Sequence, residues 1–405
     1  MTIHEPFREA AEPGGAHPLL LRAEEFATQF RKTAAERDLE RRLPKEEIAA
    51  LAAGGVLTGR IPRCHGGPEL DMTETVRIFL ALAAADPNIA QAILPHYCVI
   101  EELRLYGSEE QQRRYFELML RGHVFANAHA ERGGKLIGDL STELRADGEG
   151  FRVSGTKYYS TGSLFADHLF VSAVGHDGEK VMLILPTDRP GIELVDDWEG
   201  MGQRTTASGT VILKDVAVGR EEVIADRGWR KTRTHFGPFA QILHAAIDAG
   251  IARGVLPDAV AYARDGARPL PEAGVVHAVD DPYVAHTVGE IAVLAHSAEA
   301  MVERAAVITE RAARAFFAGS ADEAVLGAAS LAVAEAKAVA TENSLRASEF
   351  LFRIGGASAT TRKRNFDRHW RNARTHTVHD PVAYKYRAIG IYHLKGTLPP
   401  PSGKF

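Results

Sequence analysis

The ten residues Leu144-Arg145-Ala146-Asp147-Gly148-Glu149-Gly150-Phe151-Arg152-Val153 decide the fold class of this 405-residue chain. Two short alternating runs flank an Asp-Gly pair, the pattern of a tight β-hairpin. Apolar runs of strand length follow at 170–174, 181–185 and 210–213. Residues 124–232 therefore read as a β domain. On either side the periodicity turns helical. Upstream, Leu21, Phe26 and Phe30 begin an apolar helix face. Leu43-Pro44 ahead of Glu46-Glu47, and Asp71-Met72-Thr73-Glu74, read as helix starts. Gly66-Gly67-Pro68 breaks the chain between them, and a helix over 88–106 ends before Gly107 and Ser108, which cap the next. Downstream of Pro238, Ile242, Leu243, Ala246, Ile247, Gly250 and Ile251 form one apolar stripe. Ala-rich segments at 283–318 and 324–353 have the lengths of bundle helices, with 265–280 as an inter-helix loop. The chain is expected to be α+β, with a helical domain at 1–123, a β domain at 124–232 and a helical bundle at 233–405.

Composition narrows the class of function. The chain is 45% hydrophobic and 25% charged, as ordinary soluble chains are. A net charge of −5 exerts no pull toward nucleic acid or an anionic membrane, and Arg362-Lys363-Arg364 reads as a solvated basic run. Two cysteines, Cys64 and Cys98, make no disulfide framework, which points to the cytoplasm. Residues 1–18 carry Glu5, Glu9 and Glu12 and lack the apolar centre of a signal peptide. No uninterrupted apolar run approaches the roughly 20 residues of a membrane span. No G-x-G-x-x-G stands at a strand–helix turn, so no nicotinamide site is expected.

The chemistry concentrates in Phe366-Asp367-Arg368-His369-Trp370-Arg371-Asn372-Ala373-Arg374-Thr375-His376-Thr377-Val378-His379-Asp380-Pro381. Arginine grips phosphate or carboxylate with a planar fork, and histidine changes charge near neutral pH. A segment holding both reads as a place where an anion is bound and protons move. The bland reading is a helix end whose imidazoles bond main-chain carbonyls. A metal reading would use His376, His379 and Asp380, but spacing alone is weak support and no metal is expected.

These residues carry a resemblance that extends from residue 20 to the C-terminus. The turn Val153-Ser154-Gly155-Thr156-Lys157-Tyr158-Tyr159-Ser160-Thr161-Gly162 and the segment Asp196-Asp197-Trp198 through Arg204-Thr205-Thr206-Ala207-Ser208-Gly209 resemble flavin-lining segments of the acyl-CoA dehydrogenase fold. Trp370 to Lys385 resembles the dibenzothiophene monooxygenase branch of that superfamily. The resemblance implies a helical N-terminal domain, a middle β-sheet or barrel, a C-terminal four-helix bundle and a homotetramer built as a dimer of dimers. It implies a two-component monooxygenase that takes reduced FMN from a separate NAD(P)H-dependent reductase, with FAD as the alternative cofactor. Such enzymes form a flavin C4a-hydroperoxide from dioxygen and pass one oxygen atom to a small apolar substrate: organosulfur, aromatic or N-heterocyclic.

Carried over position by position, His376 and His379 stand beside the flavin C4a position, with Asn127 and Thr161 as further catalytic and flavin contacts. Trp198 walls the pocket, and Arg268 grips the FMN phosphate of a neighbouring subunit. His379 and Asp380 also count as cofactor contacts. Gln91 and Pro95 stand where relatives have His and Tyr; with His96, Phe125 and Trp198 they are expected to line the substrate pocket. Ser358 replaces a second phosphate-binding Arg, with Lys363 and Arg364 nearby. The rival reading is an FAD-dependent acyl-CoA dehydrogenase with Asp380 as base. Its side chain is one methylene shorter than the Glu that family uses, and a base must reach the proton it takes. A catalytically silent scaffold is the third reading.

Overall fold

The computed structural model describes residues 17–175, 178–225 and 232–405. Most of the N-terminal stretch read above as lacking a signal sequence lies outside them. The first block is helical: α1 (Pro18–Arg31), α2 (Ala34–Glu40), α3 (Lys45–Ala53), α4 (Met72–Ala85), α5 (Pro87–Tyr106) and α6 (Glu109–Leu120). Its starts follow the sequence signals. Asp71 and Ser108 each close a capping box with the residue three places on, Glu74 and Gln111. Asp86 caps α5, whose first residue is Pro87. Pro95 sits inside α5, where it offers no N–H to the Gln91 carbonyl one turn back.

The strands are β1 (Phe125–Ala128), β2 (Glu143–Asp147), β3 (Gly150–Lys157), β4 (His168–Val174), β5 (Lys180–Pro186), β6 (Ile192–Val195), β7 (Thr210–Val218) and β8 (Val223–Ala225). β2 and β3 pair antiparallel from Glu143↔Ser154 to Asp147↔Gly150, so the opening stretch is a hairpin turning at Gly148-Glu149. Gly148 takes φ +59°, which a side chain would resist. The sheet order is β6-β7-β3-β2-β4-β5-β8, with β1 parallel to β4. Alternation along β4 and β5 sends Leu169, Val171, Leu183 and Leu185 to one face, and Phe170, Met182 and Ile184 to the other. The second face packs on Val99, Leu103, Tyr115 and Phe116 of α5 and α6. Burial on both faces explains why these strands read as continuous apolar runs.

The third block holds α7 (Phe236–Asp265), α8 (Pro282–Phe317), α9 (Glu323–Phe350), α10 (Asp367–Thr377) and α11 (Val382–Lys395). One core joins it to the first block, through Phe79, Leu80 and Ala83 of α4 against Ile242, Ala246 and Ile247 of α7. Residues 236–265 and 323–353 are long and apolar enough to cross a membrane by length and composition only; charged residues interrupt both, Asp248 and Arg253 in the first, Glu335 and Lys337 in the second, so neither is an uninterrupted apolar run. Both are bundle helices, 89% and 67% buried over their most apolar windows. Their apolarity serves a core in which α7 is enclosed on nearly every side.

Candidate active site

The end of α10 meets the middle of α7. His376 is buried, and its Nδ1 lies 2.5 Å from Oδ1 of Asp248. The other carboxylate oxygen accepts from Lys337 Nζ at 2.7 Å and from Thr341 Oγ1 at 3.3 Å. Burial is the largest influence and raises the Asp248 pKa, but the Lys337 charge together with the hydrogen bonds to His376 and Lys337 holds the carboxyl below its ordinary value. Burial pulls His376 below its ordinary value despite Asp248. His376 is therefore a neutral imidazole at neutral pH, its Nδ1–H fixed by an ionised carboxylate. Its Nε2 lies 3.1 Å from both His244 Nδ1 and Gln91 Oε1.

His379 lies in the turn after α10. Its side chain is 51% exposed, and its ring stacks on His244 with centroids 4.2 Å apart. Its Nδ1 is 3.2 Å from Oδ2 of Asp380, which also accepts from Gln241 Nε2 at 2.7 Å. Gln241 Oε1 in turn accepts from Lys385 Nζ at 3.1 Å. Lys385 also donates to the Lys404 carbonyl and lies 4.3 Å from the centre of the Phe405 ring. Burial raises Asp380, but the His379 hydrogen bond and the neighbouring His379 and Lys385 hold it below the ordinary carboxylate range. A carboxylate so engaged is a weak base.

Burial pushes the Lys385 ammonium down to about 8. The unfolded chain then binds more protons at this residue above that pH, so its contribution to stability rises as pH climbs from about 8 toward 10.4, and is lost as pH falls through about 8. A shift of this size corresponds to roughly 3 kcal/mol. Lys385→Met is expected to flatten the dependence of Tm on pH in that window. An unchanged slope in differential scanning calorimetry would contradict this.

The β domain supplies the opposite wall. Thr161 Oγ1 is 2.8 Å from Ser208 Oγ, which is 2.7 Å from Thr206 Oγ1. Thr206 Oγ1 and Trp198 Nε1 both donate to the Gln203 carbonyl, at 3.0 and 2.7 Å. The loop 198–209 is fastened to the helices: Gly202 N donates to Thr375 Oγ1, Gln203 N to Asn372 Oδ1, and Thr205 N to Asn88 Oδ1, at 3.0, 2.7 and 3.2 Å. A Cβ at Gly202 would overlap the Arg371 carbonyl. Gly202→Ala is therefore expected to cost about 1–3 kcal/mol by prying this loop from α10; equal urea midpoints for variant and parent would refute it.

Two features mark this wall as a binding surface. Tyr159, Gln203 and Ala207 hold positive φ of +55°, +51° and +49°, strain that clusters at ligand sites. Asn127 Oδ1, Ser160 Oγ, Thr205 Oγ1 and both amide atoms of Gln203 are buried without a hydrogen-bond partner among the described residues. Each such atom costs about 1–3 kcal/mol unless something pairs with it. They share one neighbourhood: Ser160 N donates to the Gly209 carbonyl and Gly162 N to the Thr206 carbonyl, and Gly162 abuts Ala92 of α5 and Ala126 of β1. Donors and acceptors lining an edge beside a stacked histidine pair fit a heteroaromatic ring system such as a flavin.

The structure brings His376, His379, Asp380 and Gln91 into one group around His244, and sets Asn127 on β1, Thr161 in the turn after β3 and Trp198 in the loop fastened to α5 and α10. Pro95 is one turn from Gln91 and buried. Phe125 and His96, expected in the pocket, belong to the core. Phe125 is fully buried, stacked on His168 at 4.7 Å and edge-on to Tyr115. His96 accepts from Phe125 N at 3.1 Å, and burial lowers its pKa to about 3. They pack where α5, α6, β1 and β4 meet. Arg268 is exposed in the loop after α7 and bonds to no described residue. Ser358 Oγ is 2.5 Å from Tyr262 OH, and Arg364 lies over the Tyr262 ring and beside Gly266, on Arg268's side of the bundle. The arginines of α10 tie the fold: Arg368 donates to Asp258 at 2.5 Å, and Arg371 to Asp38 at 2.6 Å. Among the described residues no three His, Cys, Asp or Glu are grouped to hold a metal ion.

Sequence reading missed Gln241, His244, Asp248, Lys337 and Lys385. A signal existed: Gln241, His244 and Asp248 recur at helical spacing inside an otherwise apolar α7, and Lys337 interrupts an Ala-rich α9.

Three family models match in order along the chain: the acyl-CoA dehydrogenase N-terminal domain over residues 19–123, the middle domain over 129–216 and the C-terminal domain over 242–383. The chain is 32% identical to a dibenzothiophene monooxygenase of Mycolicibacterium goodii over 99% of both chains. It is 33% identical to a probable FMNH2-dependent monooxygenase, SfnC, of Pseudomonas putida, over 95% of this chain and 97% of that one. The FMN-bound crystal structure of TdsC from Paenibacillus sp. A11-2 superposes with a TM-score of 0.90 at 31% identity, covering 96% of this chain and all of that one.

Proposed function

The chain belongs to the acyl-CoA dehydrogenase family, in its dibenzothiophene monooxygenase-like branch, and from that premise we propose that it is a two-component flavin monooxygenase. It takes reduced FMN from a separate reductase and inserts one atom of dioxygen into a small, largely apolar substrate. The observation that carries this reading is the set of buried atoms on Asn127, Ser160, Gln203 and Thr205 with no hydrogen-bond partner among the described residues, the loop of Gln203 and Thr205 being tied to α5 and α10, the helices that carry Gln91 and His376. Bound reduced FMN supplies the electrons that activate dioxygen.

The residues then divide the work. Asn127, Ser160, Gln203 and Thr205 pair with the polar edge of the ring system, and Thr161 belongs to the same wall. Trp198 and the fastened 198–209 loop keep water out, which raises the worth of every polar contact inside. His376 holds a proton on Nδ1 against Asp248 and presents Nε2 beside Gln91. His379, the exposed imidazole of the pair, exchanges protons with the reacting oxygen while Asp380 fixes its Nδ1. Asp380 is engaged by Gln241 and His379, which favours this positioning role over the base of a dehydrogenase.

The subunits assemble as a homotetramer in the cytoplasm, with Arg268 and Arg364 offering positive charge to the FMN phosphate of a neighbour. Domain limits at 1–123, 124–232 and 233–405 complete the reading. Light scattering that finds a monomer still active would remove Arg268 from the site.

Purified protein with a flavin reductase, NADH, FMN and a panel of organosulfur, aromatic and N-heterocyclic compounds is expected to place one labelled atom from ¹⁸O₂ in a product. Absence of labelled product across the panel, together with no binding of reduced FMN, would sink the proposal. Asn127→Ala is expected to weaken reduced-FMN binding about tenfold, as loss of one buried hydrogen bond does. Titration under anaerobic conditions reads this directly, and an unchanged Kd would remove Asn127 from the cofactor wall.

A further inference from the structure

We infer that His244 of α7 relays protons between the His379 side of the site and His376 by exchanging a proton on its Nδ1 for one on its Nε2. The inference rests on the function proposed above, which gives the relay its purpose.

The geometry is a short wire. His244 is 4% exposed, its Nδ1 lies 3.1 Å from His376 Nε2, and its ring lies flat against His379. Asp248 and Gln241 flank it on α7. Lys337 faces it from α9, His376 from α10, Gln91 from α5, and His379 and Asp380 from the turn beyond α10.

Proton positions follow from the inner end outward. Asp248 is paired with Lys337 and ionised, so His376 Nδ1 carries a hydrogen toward it. A neutral His376 then has a lone pair at Nε2, which takes the hydrogen on His244 Nδ1. That leaves a lone pair at His244 Nε2, the outer end of the wire. When a hydronium ion from solvent gives its proton to this nitrogen, the O–H bond breaks, water is left and a new N–H bond forms there. The Nδ1–H bond of His244 breaks, and its proton forms a bond to His376 Nε2. His244 ends neutral in the opposite tautomer. His376 ends with both nitrogens protonated and its positive charge beside Asp248. One proton has been taken up and no electron has moved. Gln91 Oε1, 3.1 Å from that Nε2, accepts the hydrogen that has appeared on it.

Charge does not rest on His244 itself. Burial lowers its pKa well below the ordinary value, and His379, His376 and Lys337 lower it further, against Asp380 alone. A group that cannot hold the proton but can pass it on is what a relay requires. His244 touches neither substrate nor cofactor in this scheme; it is a positioning residue acting through His376.

The test begins with flavin-free protein labelled with ¹⁵N-histidine, followed by two-bond ¹H–¹⁵N spectra between about pH 5 and 8, where imidazoles titrate. His244 is expected to show Nδ1–H at the upper end and Nε2–H at the lower, with the change coinciding with the second protonation of His376. A single tautomer throughout, or a doubly protonated His244, overturns the relay. The second arm uses His244→Phe, which keeps a ring against His379 and has no nitrogen. With reduced-FMN binding intact, the pH profile of product formed per oxygen consumed is expected to lose the inflection that His376 gives the parent. An unchanged profile overturns the relay. The spectra need no flavin and no substrate, so a tautomer exchange seen in a protein that oxygenates nothing would count against the proposed function and leave the relay standing.

Discussion

Replacing Lys337 by Met is expected to lower the free energy of unfolding by about 3–5 kcal/mol, read as a shift of the urea midpoint. Lys337 is 1% exposed and Asp248 is fully enclosed. Without the ammonium, the Asp248 carboxylate remains buried with only an imidazole and the Thr341 hydroxyl for partners. The double variant Asp248→Asn with Lys337→Met removes both charges at nearly constant shape, and is expected to recover most of the loss. The single variant has a second readout. With Lys337 gone, Asp248 attracts the His376 proton more strongly, so the His376 pKa rises toward its ordinary value. A Lys337→Met protein within about 0.5 kcal/mol of the parent would show that the pair does not hold α7 to α9 as the burial implies.

His376→Ala is expected to cut oxygenated product by on the order of 10²–10⁴-fold, the usual worth of a placed proton-transfer group. The fold should survive, because Lys337 still neutralises Asp248 at 2.7 Å. Reduced-FMN binding should change little, since the unpaired atoms that fit the ring lie on the β wall. Oxygen consumption is expected to continue with its electrons lost to hydrogen peroxide. His379→Ala is the companion measurement: it removes a half-exposed ring with little effect on stability. Parental yields of product per oxygen in both variants would remove the imidazoles from the chemistry.

Much of the fold was legible because its signals are local. The hairpin at 144–153 is specified by alternation around one glycine, and the helix starts at Asp71, Asp86 and Ser108 by caps within three residues of the chain. The resemblance singled out His376, His379 and Asp380, which the structure gathers at and just beyond the end of α10. Phe125 and His96, expected in the pocket, are fully buried, because proximity in sequence to a pocket residue does not say which of two packed faces a side chain joins.

By itself the sequence determined the order helix, sheet, helix, the type of residue available for chemistry, and the site's family. Each follows from spacing within a turn, a strand or a motif, where neighbours in the chain are neighbours in space. Tertiary structure alone decided that His376 is held by Asp248 and Lys337, that His244 joins it to His379, and that Asn127, Ser160, Gln203 and Thr205 share one unpaired wall. These partners come from β1, α7, α9, α10 and three loops. Helical periodicity says that His244 and Asp248 point inward, but what they meet there, at separations of 89 and 132 residues, depends on how distant helices cross, and that is set by packing of the whole core.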